Sequence, residues 1–164
     1  MLIYHLLRTS NKALMLPSTL HPTIEADSVF LRDLPLCQLR LQNQSTLPWL
    51  VLVPRRTNTT EIHQLSESDR RQLMEEITLA SRALERAFSP DKINVGALGN
   101  IVPQLHVHVI GRFKTDPAWP QPVWGQLEAR PYTPDALAER LHILGNEALW
   151  TQKVVDNLLC DHKV

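Results

Sequence analysis

The chain has 164 residues, 43% of them hydrophobic and 21% charged, a balance that suits one globular domain large enough to bury a real core. Its 17 basic and 17 acidic side chains cancel, so the whole molecule has no electrostatic pull toward nucleic acid or a membrane surface, and neither is expected as a partner. Two widely separated cysteines, Cys37 and Cys160, make neither a zinc motif nor a disulfide framework, which fits a reducing cytoplasm.

The opening run Met1–Leu7 is apolar but broken by Tyr4 and His5. No basic segment precedes it and no clean cleavage site follows, so it does not read as an export signal, and Met15 is an alternative start. Residues 1–20 are read as an N-terminal extension, 21–128 as the domain and 129–164 as a helical C-terminal extension. No run reaches the roughly 18 apolar residues of a membrane span.

Ser28–Asp33 and Leu36–Gln42 read as two short strands split by Leu34-Pro35, the second alternating Leu39 and Leu41 with Arg40 and Gln42. Trp49–Pro54 (WLVLVP) is apolar throughout and predicts a central strand buried on both faces. Ser66–Phe88 is the clearest helix. Ser66 and Asp69 resemble a capping box, and Leu73, Ile77, Ala80 and Leu84 form one apolar stripe. Glu75, Glu76, Arg82 and Glu85 fall mostly off that stripe and read as its wet face. Lys92–Leu98 is a further strand, Gly99-Asn100 a turn, and Pro103–Arg112 the antiparallel partner. Lys114–Gly125, with three prolines and two tryptophans, is expected to be an irregular loop lying over something. Pro134–Trp150 predicts a last helix, with Leu137, Leu141 and Leu144 on one face and Gly145 as a weak point. The order is that of an α+β fold with a mainly antiparallel sheet, one long helix and a C-terminal helix. None of the five glycines falls in a phosphate-loop spacing.

In the segment Gln104-Leu105-His106-Val107-His108-Val109, strand alternation puts Gln104, His106 and His108 on one face and the apolar residues on the other. The spacing alone leaves three readings open. The pair can be polar residues on a solvated face. It can supply two metal ligands, with His63, Asp116 or Asn100 completing the set. Or one imidazole is a nucleophile and the other its helper, about 7 Å apart at Cα and able to touch one phosphate group. A backbone carbonyl, Gln104's among the candidates, can then hold one ring's Nδ1–H and free its Nε2. His63 and His142 read as surface residues.

The segment Asn94–Arg112 (NVGALGNIVPQLHVHVIGR) resembles the signature of the histidine triad (HIT) family, His-φ-His-φ-His-φ-φ with φ apolar, preceded by an Asn-Gly strand and a Gly-Gln turn. Pro48–Arg56 (PWLVLVPRR) is similar to the family's Gly-His, apolar run, Pro-Lys segment, with Trp49 where a His is common; Glu61–Asp69 resembles the lead into its long helix, and Trp119-Pro120 the Trp-Pro of one branch. Gln104 stands in the place of the first His, Asn100 in that of a Gln, and Ile101 where a Ser or Thr often helps the leaving group.

The resemblance implies an enzyme, a nucleotide hydrolase or nucleotidyl transferase with a nucleotide or dinucleoside polyphosphate as substrate and no metal or cofactor. His106 would attack the α-phosphate and form a nucleotidyl-imidazole; His108 would hydrogen-bond the phosphate or help protonate the leaving group. Asn94, Asn100, Gln104, Ile101, Arg112 and Trp119 would line the substrate, and Trp119 and Trp124 can close the site. Arg112 would offset phosphate charge or stand solvated. The family's backbone carbonyl at the first triad position orients the nucleophile, so Gln104 is expected to retune the site, not abolish it. The resemblance further implies a homodimer whose sheets join across the two-fold, with Ser66–Phe88 and Lys92–Leu98 as candidate interface. Alternatives are a nucleotide-binding module that has lost turnover, motivated by Gln104 and Ile101, and a metal-dependent hydrolase using the His pair as ligands.

Overall fold

Trp49–Pro54 (β3) is the middle strand of a five-stranded antiparallel sheet in a computed structural model that describes residues 19–151. The alternative start at Met15, most of the N-terminal extension, Cys160 and the end of the C-terminal extension lie outside the described residues. The sheet runs β1 (Ser28–Asp33), β2 (Cys37–Gln42), β3, β5 (Val107–Arg112), β4 (Lys92–Gly96) across its width. Every residue of β3 is buried, as an all-apolar strand must be when both faces are covered.

One face carries Leu39, Leu41, Leu50, Leu52, Val107 and Val109 and packs on the long helix α2 (Glu67–Phe88) through Leu73, Ile77, Ala80 and Leu84, the stripe read from the sequence. Ser66 caps that helix by accepting the Asp69 N–H. The opposite face carries Trp49, Val51, Val53, His108 and Ile110. Ile24 of a short helix, α1 (Pro22–Asp27), Leu47, Val102 and Val123 cover it in part. The sequence did not announce α1. It starts at Pro22, where proline is preorganised, and His21 caps it through its ring Nδ1.

Four boundaries move, each for a local reason. β2 begins at Cys37, not Leu36, because the N–H groups of both residues are taken by the Glu76 side chain at 2.6 and 2.8 Å. Glu76 is therefore not on the wet face of α2: it is 1% exposed and also accepts from Gln72. Burial first, and then Glu76, push the neighbouring Cys37 thiol well above its ordinary pKa. β4 stops at Gly96 and β5 starts at Val107. Between them Leu105 N–H donates to Thr59 O of the loop after β3, and Pro103 has no N–H to offer a ladder. So Gln104 and His106 sit on the approach to the strand, with His108 inside it. The last helix, α3 (Pro134–Leu144), ends at Gly145, and Trp150 is reached by a separate 3-10 turn, Glu147–Trp150.

Candidate active site

Register places the site. His108 lies opposite Val51 on β3 and Gly96 on β4; Ile110, one step along the same face, lies opposite Trp49 and Asn94. Antiparallel neighbours share a face, so His108, Trp49, Gly96 and Asn94 all look the same way. Gly96 is what makes room there. A methyl group on it would sit 2.7 Å from Trp124 Cη2, whose indole packs edge-on at 5.7 Å from the His108 ring and 6.1 Å from Trp49.

The two imidazoles are 4.9 Å apart between centroids and nearly perpendicular, at 83°. Each is held by a group that fixes its tautomer. His106 Nδ1 is 2.7 Å from Gln104 O. A carbonyl can only accept, so a hydrogen sits on Nδ1, and in the neutral ring the Nε2 lone pair is free. Trp49 Nε1 is 2.9 Å from His108 Nδ1. An indole N–H can only donate, so Nδ1 carries the lone pair and Nε2 carries the hydrogen. Burial, and then the neighbouring His106, lower the His108 pKa to about 4, so it stays neutral near pH 7. The pair offers one bare nitrogen and one N–H, which suits nucleophilic attack on a group whose oxygen is held at the same time.

The Gln104 side chain does not face the histidines. Its Oε1 accepts His21 N–H at 2.8 Å and its Nε2 donates to Thr19 O at 3.3 Å, tying the entry of α1 to the approach to β5. Arg112 is neither solvated nor free. It is 1% exposed and bonds Asp116 with two nitrogens, Gln121 O, and Asn94 Oδ1 at 2.8 Å. Burial would raise the Asp116 carboxyl, but hydrogen bonds from Arg112 and from the Phe113 and Ala118 N–H groups hold it below the usual range. Because a guanidinium only donates, Asn94 must turn its oxygen toward Arg112 and its NH₂ away. Trp119 covers Arg112, ring centroid 5.7 Å from the guanidinium carbon. Asn100 and Ile101 stand exposed on the β4–β5 connection, Ile101 at 91%. His63 and His142 are exposed, as expected.

Sequence reasoning missed Trp49 as the hydrogen-bond donor to His108, although its standing where a His is common was the available signal. It also missed Gly96, whose role depends on a tryptophan far along the chain. Beside the site, Trp49 and Trp124 line a cavity of about 360 Å³ together with Asp27, Gln42 and Asn43. Among the described residues, no three His, Cys, Asp or Glu side chains are grouped to hold a metal ion, and no helix is long and apolar enough to cross a membrane.

A family model described as the HIT domain matches residues 23–115. Among solved structures, the chain is similar to a histidine triad protein of Sinorhizobium meliloti 1021, with 42% identity and a TM-score of 0.75 over 77% of this chain and 94% of that one. A histidine triad protein of Bradyrhizobium japonicum matches at 41% identity and a TM-score of 0.76, covering 79% and 96%. One from Marinobacter aquaeolei VT8 matches at 40% and 0.78, covering 82% and 96%. A comparison with curated proteins finds no match.

Proposed function

The chain belongs to the histidine triad (HIT) family, and on that premise we propose that it is a nucleotide hydrolase or nucleotidyl transferase. It breaks an adenylyl-type phosphoanhydride or phosphoramidate through a covalent nucleotidyl-imidazole on His106. The observation that carries this reading is the 2.7 Å contact between His106 Nδ1 and Gln104 O. It leaves Nε2 as an oriented nucleophile, and because the acceptor is backbone, it survives the change from His to Gln at position 104.

His108 donates its Nε2–H to a non-bridging phosphate oxygen beside the attacking ring. Asn94, its amide set by Arg112, offers NH₂ to the phosphate or ribose. Asn100 and Trp119, both exposed, add contacts when substrate is bound. The cavity beside Trp49 and Trp124 is of the size that small-ligand sites have, and it takes the nucleoside. His106 as nucleophile and His108 as donor need no metal or cofactor for this chemistry. We further propose a homodimer through β4, the edge strand of the sheet among the described residues, where Val95 is 49% exposed and Leu98, just past the strand's end, 40%; light scattering that reads one chain in solution refutes it.

The test is rapid-quench incubation with a diadenosine polyphosphate and, separately, an adenylyl phosphoramidate, with excess chelator present and intact-protein mass as readout. A transient adenylyl adduct in the wild type, absent from His106→Ala, is expected. Ile101, exposed and without a hydroxyl, favours a second reading, a nucleotide-binding module without turnover. It is the better account if adenosine monophosphate binds but neither adduct nor product forms.

A further inference from the structure

A reading of His106 as nucleophile leaves open which bond the site breaks best, and the second histidine bears on that. We infer that the site selects acid anhydrides of a nucleoside monophosphate, whose leaving group departs as a stable anion, over phosphoramidates, whose amine must be protonated as it leaves, and that Trp49 is the positioning residue that sets this choice. The inference rests on the nucleotidyl-imidazole reading above.

To act as an acid, His108 must first become an imidazolium with hydrogens on both nitrogens. The Trp49 indole blocks that. Its N–H already occupies the Nδ1 lone pair at 2.9 Å, and a proton there would set two donors face to face. Among the described residues, the surroundings give the cation nothing in return. Trp49 and Trp124 wall the ring, Val51 and Gly96 flank it in register, and His106, the titratable group beside it, can be neutral or positive but never the negative charge that would offset a cation. The lowered pKa agrees with the geometry. Nor can neutral His108 serve, because giving up its Nε2–H would leave an imidazolate. It donates a hydrogen bond but does not give up its proton.

Among the described residues, no nearby group takes over. Ile101 is apolar and 91% exposed. The amides of Asn94 and Asn100 do not release protons. Arg112 is buried with its donors turned to Asp116, Gln121 O and Asn94 Oδ1. The proton on His106 Nδ1 points to Gln104 O, away from the reacting nitrogen.

The bond changes close without a protein acid only for the anhydride. Nε2 of His106 forms the N–P bond with its lone pair. The P–O bond breaks and its electrons leave on a phosphate or carboxylate oxygen, which is stable as the anion. His106 becomes an N-nucleotidyl imidazolium, its Nδ1–H held by Gln104 O. Water then attacks phosphorus, the N–P electrons return to Nε2, and the water's proton goes to solvent. With a phosphoramidate, the P–N electrons would have to leave on an unprotonated amine nitrogen.

The experiment is single-turnover kinetics of the wild type with diadenosine tetraphosphate, an adenosine phosphoramidate, and a graded set of aryl esters of adenosine monophosphate from nitrophenyl to phenyl. The expected result is a rate that falls steeply as the leaving phenol becomes more basic, with the phosphoramidate about 100-fold or more below the tetraphosphate, the size of a missing general acid. In Trp49→Phe the freed Nδ1 should flatten that dependence and raise the acid-side pH limb; the wild-type series decides the matter if this variant does not fold. A His106 adduct that forms equally fast from both classes overturns the inference and leaves the nucleotidyl reading standing. Absence of an adduct from every probe overturns both.

Discussion

Glu76 joins the two halves of the fold, and its removal has a size that can be worked out. Its carboxylate accepts the Leu36 N–H at 2.6 Å and the Cys37 N–H at 2.8 Å, and both residues are 1% exposed or less. It thereby fastens the turn between β1 and β2 to α2. In Glu76→Ala the two amides lose a charged acceptor at a depth where water does not replace it. Each buried donor left without a partner costs about 1–3 kcal/mol, so the variant should lose about 3–5 kcal/mol with the side-chain packing included. For a domain of this size that is a fall of about 6–20 °C in Tm. Glu76→Gln keeps one acceptor but turns an NH₂ against an N–H, and should lose about 1–3 kcal/mol. Glu75, one residue away and exposed, is the control, expected within about 0.5 kcal/mol of wild type as Glu75→Ala. Urea unfolding at pH 7 reads all three. A Glu76→Ala midpoint within about 1 kcal/mol of wild type would show that the amides find other partners and that the clamp argument is wrong.

His108 should leave a mark on stability against pH. In the unfolded chain its ring takes up a proton below about 6.5, whereas in the fold it does so only near 4. Between those values the unfolded state binds more protons. Stability should therefore fall as pH drops through that window, by up to about 3 kcal/mol; His108→Gln should lose this part of the slope, and superimposable wild-type and variant profiles would refute it. Gln104→Ala removes the side-chain bonds to Thr19 and His21 but keeps the carbonyl that orients His106. It should lower stability by about 1 kcal/mol while changing the rate of adduct formation less than threefold; a loss of about 100-fold, as for a catalytic group, would show that the side chain itself takes part.

Much of this fold is visible in local patterns. An unbroken apolar run such as Trp49–Pro54 is stable only where both faces are covered, and it is the middle strand. The stripe Leu73, Ile77, Ala80 and Leu84 repeats at the helical period and meets the sheet. Strand boundaries were less accessible because ladder hydrogen bonds compete with groups from elsewhere in the chain: the Glu76 side chain takes the amides of Leu36 and Cys37, and the Thr59 carbonyl takes that of Leu105. Arg112 shows the same limit. In the sequence it is a cation after a strand. In the fold it is buried on Asp116, a partner supplied by the turn that follows, and its contact with Ile110's neighbour Asn94 comes from the adjoining strand.

By itself the sequence determined the histidine pair, its strand, the α+β order and the family likeness, because these rest on residue type and on periods of two and 3.6 along the chain. Only the tertiary structure decided how the pair is wired. A hydrogen bond depends on which groups meet in space, and the indole of Trp49 meets His108 because register sets β3 beside β5. That meeting, with the carbonyl of Gln104 two residues before His106, gives two like side chains opposite tautomers, one a bare nitrogen and the other an N–H.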